Sequence, residues 1–384
     1  MIRIGAIGYG LRINNLFTFN MEPLGLGAKI TAVVDPDEEG VRAKLGDRAE
    51  GCTFYPDVET MLAEAQIDAV MLGTHCKYHA ELATKVLKSG LPLFLEKPVG
   101  ITEEDLDLLE EAGKNSKSKV VVSFPLRFTP IVQTVQDIIK SGRIGEVAQV
   151  QIYNNVNYGD VYFQSWYRDA EQTGGLFLQK ATHDLDYVNM LLETVPEQLA
   201  ALKTRTFFKA DHPDDLRCED CAERETCVQG DFYKKHYLRE NPSGPMCAYS
   251  EGCKNEDSAS VMVLYKTGIH GVYTQNFFAK QSAHKRGARL IGTKGMVEFD
   301  FYTDEIFVTY HYSKHTERHK VGHAGERHFG GDTRLSHHFL NVVRGLEDSK
   351  STLQAGILSA RMCLAARKSS ETLTFQQVKI PEGK

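Results

Sequence analysis

The sequence predicts an α/β protein: a doubly wound parallel sheet over residues 1–123, joined to an α+β domain with an open, mostly antiparallel sheet over 124–384. Three observations carry this prediction. Up to about residue 120, short apolar runs alternate with helical patterns, which implies parallel strands with crossover helices. Beyond residue 124 the runs lengthen and alternate apolar with polar residues, as in antiparallel strands with one covered face. The 384 residues also exceed the ~250–300 at which a single core stops growing, so two domains are expected.

In chain order, "IRIGAIGYG" is a strand that ends in glycines, and "AKITAVVDP" is a second, rich in β-branched residues. "IDAVMLGT", "LPLFLEKP" and "KVVVSFP" are the third to fifth. Between them lie the helical patterns "DVETMLAEA", "KYHAELATKVLKSG" and "TEEDLDLLEEAGKNS". The last opens on Thr102 with Asp105 three positions on, a capping-box spacing with acids in the first turn. In the second domain a helix at "PIVQTVQDIIKSGRIG" precedes six strand-like segments. These are "EVAQVQIYNNV", "LAALKTRTFF", "SASVMVLYKTG", "IHGVYTQNFFA", "ARLIGTKGMVEFDFY" and "EIFVTYHYS". A final helix fits "TLQAGILSARMCLAARKSSE".

Composition narrows the function classes. The hydrophobic share of 42% and charged share of 25% are those of an ordinary soluble globular protein. A net charge of −6 gives no basic balance to favour nucleic acid or anionic lipid. No apolar run approaches the ~20 residues of a membrane helix. The start "MIRIGAIGYG" lacks the ordered regions of a signal peptide. A cytoplasmic protein is expected, with its eight cysteines reduced or metal-bound rather than paired.

Two stretches bear on chemistry in the first domain. Gly8-Tyr9-Gly10 directly follows the first strand, where a Rossmann unit uses one glycine for a tight turn and the next for close approach to a pyrophosphate. The third small residue of that fingerprint is replaced by Ile13, so the motif is incomplete and a plain turn is the competing reading. Asp35 ends the second strand, where an acid holds the ribose 2′- and 3′-hydroxyls; its charge would repel a 2′-phosphate, favouring NAD(H) over NADP(H). The fourth strand ends "FLEKPVG", an apolar run that delivers Glu96, Lys97 and Pro98 to the sheet edge where doubly wound folds bind ligands.

Taken together, Gly8-Tyr9-Gly10, Asp35, "GTHCKYHAELATKVLKSGLPLFLEKPVG" and "GGLFLQKATHDLDYVNMLLE" resemble the glucose–fructose oxidoreductase / inositol dehydrogenase / rhizopine-catabolism (Gfo/Idh/MocA) family. "RFTP" (127–130), "SGRIGEV" (141–147) and "IGTKGMVEFD" (291–300) extend the resemblance over essentially the whole chain. It implies a Rossmann domain and an open-sheet domain with NAD and a sugar, inositol or related polyol meeting between them, in a homodimer or homotetramer. On the cofactor it implies Gly8, Tyr9, Gly10, Leu11, Asp35 and Thr74. His75, His79, Glu96, Lys97 and Arg127 join them. Lys97 is implied as the catalytic lysine, with a cis peptide at Lys97-Pro98. His183 is implied as its partner at the reacting hydroxyl. Many members carry an aspartate where this chain has Gln179, which cannot relay a proton. Lys180, next in line, is a candidate second amine, and two lysines in one poorly solvated cleft lower each other's pKa.

Expected substrate contacts are Tyr158, Trp166, Arg168, Gln179, Asp184 and His328; an aromatic face and a guanidinium suit a polyhydroxylated ligand. Two other functional readings stay open: a redox-neutral lyase, epimerase or glycosidase that uses bound NAD transiently, and a non-catalytic NAD- and sugar-binding regulator. Finally, five cysteines fall within 218–253 in the spacings C-x2-C-x5-C and C-x5-C. They lie in a polar, poorly periodic stretch, about 212–256, that reads as an insertion. Cys218, Cys221, Cys227 and Cys247 are the expected ligands of a structural zinc, with an iron–sulfur cluster and free thiols or disulfides as alternatives.

Overall fold

The computed structural model describes residues 1–323 and 326–383. Its first sheet contains β1 (Ile2–Ile7), β2 (Ala28–Val34), β3 (Thr53–Phe54), β4 (Ala69–Leu72), β5 (Leu93–Leu95) and β6 (Val120–Val122). All are parallel, in the order β3-β2-β1-β4-β5-β6. The order reverses between β1 and β4, and the crevice beyond their carboxyl ends is where such sheets bind ligands. Gly8, Asp35, Gly73 and Glu96 each follow a strand at that edge. Local chemistry sets the connecting helices. Asp37 caps helix Glu38–Leu45 through Gly40 N–H, and Thr102 with Asp105 forms the complete capping box of helix Glu103–Lys114.

The second sheet has nine strands. They are β7 (Val147–Asn155), β8 (Pro196–Thr204), β9 (Ser258–Tyr265), β10 (His270–Asn276), β11 (Lys285–Gly292), β12 (Gly295–Asp300), β13 (Glu305–Tyr310), β14 (Thr316–Lys320) and β15 (Gln376–Gln377). The order is β14-β13-β12-β11-β7-β10-β9-β8-β15, antiparallel except where β10 runs beside β7. Burial alternates along β9 and β10, as one covered face requires. Helices Pro130–Lys140, Thr182–Leu192 and Leu353–Thr372 share the main core with the buried side. Leu202, Met262 and Phe307 are exposed. Among the described residues no helix is long and apolar enough to cross a membrane.

Two features of the second domain matter to the site. The "HFGGD" stretch leads through a short turn into helix Gly331–Val343. Its glycine serves close packing: a Cβ on Gly331 would meet Pro125 O at 2.2 Å. That helix sends Leu335, Phe339 and Leu340 into one core with Ile4, Phe17 and Phe94 of the first domain, so the end of the chain completes the start. Second, His183, Asp184 and Asp186 lie within helix Thr182–Leu192. The expected insertion spans 205–257, between β8 and β9, and is irregular apart from short turns such as Cys218–Asp220 and Lys234–Leu238.

Candidate active site

The glycine loop forms the cofactor side. Gly8 has φ +75°, and a Cβ there would meet Thr74 Cγ2 at 2.7 Å. Asp35 accepts a hydrogen bond from Tyr9 N–H at 2.8 Å, which fixes the loop over the crevice. The missing third small residue is compensated from the other side. Gly73, after β4, leaves the space that Ile13 fills; a Cβ on Gly73 would stand 2.4 Å from Ile13 Cγ1. Leu11 and His75 are exposed and Thr74 is half-buried along this edge, whereas the Tyr9 side chain is fully buried, so only its backbone can face a ligand. His79 is buried as well: Nδ1 lies 2.7 Å from Pro98 O and Nε2 3.0 Å from Thr74 O. It ties the Thr74 loop to the Lys97-Pro98 peptide, which is cis.

Lys97, beyond β5, donates from Nζ to Gln179 O at 2.9 Å. Burial first, and the neighbouring Lys180 second, push its ammonium pKa down to about 8. Lys180 is buried, donates to the Tyr158 hydroxyl and lies over the Tyr158 ring, 4.2 Å from its centroid. Burial, then Arg286, hold its pKa well below the usual lysine range. His183 is lowered too, by burial and then by Lys97 and Arg286. Its Nδ1 is buried without a partner among the described residues. Its ring stands 6.0 Å from that of His328, whose Nδ1 is 2.8 Å from Asp332. The structure thus gathers Lys97, Lys180, His183, His328 and Tyr158 at one place.

Other expected residues are occupied elsewhere. Gln179 is buried, its amide donating to Thr173 O at 2.8 Å and to the Cys76 sulfur at 3.3 Å, so it builds the wall. Asp184 is fully buried and accepts from Arg286 Nε (2.8 Å), Asn154 (2.8 Å) and the Tyr273 hydroxyl (3.3 Å). Arg127 is paired with Asp186, its Nε donating at 2.8 Å, and bonded to Lys350 O. Arg168 reaches Asp214 at 2.5 Å and Ser250. Trp166 stacks on His75 with ring centroids 4.4 Å apart, beside the cofactor edge. Arg12 was not foreseen: it joins Glu96 (2.9 Å) to Asp332 (2.9 and 2.8 Å) and to Ser123 (3.1 Å), fastening the glycine-loop helix to both halves. Its place in the first turn after the glycines was the available signal.

The expected zinc is not supported. Cys218, Cys221, Cys227 and Cys247 do line one small cavity of about 20 Å³, together with Gln164. Among the described residues, however, no three His, Cys, Asp or Glu side chains are disposed to hold a metal ion, and all eight cysteines are free. The Cys218 sulfur lies 3.4 Å from Gln164 Nε2 and 3.5 Å from Met246 O. Burial raises the Cys218 thiol and pushes Cys247 up to about 11.

Comparison with known proteins supports the fold. Residues 2–124 match the oxidoreductase-family NAD-binding Rossmann fold, and 136–380 match the oxidoreductase-family C-terminal alpha/beta domain. YteT of Bacillus subtilis (strain 168) is 25% identical over 331 residues, which cover 77% of this chain and 76% of YteT. An inositol 2-dehydrogenase of Rhizobium meliloti is 29% identical over 215 residues, 54% of this chain and 60% of the relative. The WlbA dehydrogenase of Bordetella pertussis, solved with NADH and UDP-GlcNAcA, superposes with a TM-score of 0.74 over 98% of each chain at 19% identity; it shares the fold. With both family domains matched in order along the chain, this protein belongs to the Gfo/Idh/MocA family of NAD-binding oxidoreductases.

Proposed function

We propose that the protein is an NAD-dependent dehydrogenase or reductase acting on a hydroxyl or keto carbon of a sugar, inositol or related polyol. The observation that carries this reading is the cluster of Lys97, Lys180 and His183, all with lowered pKa values, set at the carboxyl edge beside the glycine loop. Gly8, Gly10 and Leu11 would hold the pyrophosphate, and Asp35 the ribose. When bound, NAD⁺ accepts a hydride from the substrate carbon. The chain's own part is the proton: neutral Lys97 takes it from the hydroxyl, and His183 Nδ1 stands as the second acceptor or as the hydroxyl's hydrogen-bond partner. Low solvation at both keeps a neutral base accessible near neutral pH. The test is nicotinamide absorbance with NAD⁺ and a panel of inositols, sugars and sugar acids. A rise supports the reading; an unchanged trace with substrate isomerised or cleaved rejects net redox chemistry.

Three expected outcomes arise here. Lys97 is protonated below about 8, so kcat/KM for alcohol oxidation should rise with pH and level off above that value. Lys180 adds a like charge that lowers Lys97, so Lys180→Met should move the inflection to higher pH; a pH–rate profile of both proteins checks the sign. Asp35→Ser should relax the cofactor preference. Two like charges ~4 Å apart near a protein surface cost about 1–4 kcal/mol, so the NAD/NADP ratio of kcat/KM should fall by roughly tenfold or more.

A further inference from the structure

We infer that the 205–257 insertion is the specificity element of the enzyme: it holds the loop 156–168 in place, with Lys234 and Gln164 as positioning residues. This rests on the proposed function, because that loop forms the substrate-side wall. Tyr158 meets Lys180, and Trp166 stands between His75 and Tyr167, with centroids 4.4 and 4.1 Å away.

The attachment is buried and charged. Lys234 and Asp160 form an ion pair with 3% of each side chain exposed. Lys234 also donates to Gln164 Oε1 at 2.7 Å and to Ser243 at 3.2 Å, and Ser243 donates to Asp160 at 2.8 Å. From the rest of the domain Lys280 reaches the same carboxylate at 2.6 Å. The Gln164 amide donates back into the insertion, to Gln229 O at 3.0 Å and Met246 O at 3.2 Å. Asn255 spans the far end, donating to Tyr162 O (2.8 Å) and Tyr167 O (3.0 Å). Gly244 lies so close that a Cβ there would meet Gln164 O at 2.2 Å.

The 156–168 segment has only two short turns of its own, Val161–Gln164 and Trp166–Arg168, to fix its side chains, and a small misplacement of a substrate-positioning group is costly. The insertion supplies the missing rigidity through donors and acceptors that the loop's buried polar groups need. Its cysteine cluster packs against Gln164, so the thiols belong to the support and not to the chemistry.

Trp166 is the only tryptophan, which makes intrinsic fluorescence a local reporter. Lys234→Met removes the buried cation, and Gly244→Val wedges the insertion off Gln164 without leaving a charge unpaired. In the full-length protein both should raise acrylamide quenching of Trp166. The expected rise is roughly twofold, since the indole residue is 40% exposed in place and a released loop segment becomes solvated. NADH affinity, read from nicotinamide fluorescence, should not change, and substrate KM should rise more than kcat falls. Unchanged quenching in a folded Gly244→Val protein overturns the inference, even if Lys234→Met fails to fold. A wild type that binds no NADH overturns the proposed function instead and leaves the Trp166 comparison standing.

Discussion

Lys97→Ala is expected to lower kcat/KM for alcohol oxidation by roughly 10²–10⁴-fold, the range a positioned general base contributes. NADH binding should persist, because the glycine loop, Asp35 and the Arg12–Glu96 pair do not depend on the lysine. Two features make the loss large. Lys97, the proposed base at the end of β5, has its pKa pushed down to about 8, close enough to neutrality to cycle. Its neighbour Lys180 is engaged with Tyr158 and cannot move into the vacated place without breaking that contact. Lys97→Arg should not rescue the reaction, since a guanidinium stays protonated throughout the accessible pH range. Single-turnover nicotinamide absorbance, with NADH binding measured on the same preparations, separates lost chemistry from lost cofactor. An Ala variant that turns over at the wild-type rate would remove Lys97 from the mechanism.

How far this site could be read from the sequence depended on how far apart its parts lie along the chain. Lys97 and Glu96 follow a strand directly, so position in the pattern was enough to put them at the sheet edge. His183 and Lys180 stood in one short motif and are found beside Lys97. Arg12 and Asp332 are 320 positions apart, and nothing local marks them as partners. Arg286 sits in β11, just ahead of the strand-like run read from the sequence, yet its Nε donates to Asp184, 102 positions earlier. The glycine fingerprint was incomplete for a related reason: the space that its third residue normally leaves is left by Gly73 on a different strand. Cysteine spacing misled in the opposite direction. It promised a ligand set, and the four sulfurs do line one cavity, but no metal-holding group forms among the described residues.

Asp184→Ala is expected to destabilise the second domain by about 3–5 kcal/mol, the loss seen when one member of a buried ion pair is removed. The melting temperature should fall by on the order of 10 °C. The carboxylate has no exposure and takes three donors, so its removal strands the Arg286 cation in the core. That cation already depresses Lys180 and His183. Without its counter-charge it would depress them further, so activity should fall even at temperatures where the variant stays folded. Replacing both partners by apolar residues, Asp184→Leu with Arg286→Met, should recover much of the stability, because a buried pair offers little over well-packed apolar side chains. If Asp184 were a sugar contact, as its place in the sequence suggested, Asp184→Ala would instead raise substrate KM with melting unchanged. Calorimetry and KM on the single and double variants distinguish a carboxylate that holds the site's electrostatic balance from one that holds the substrate.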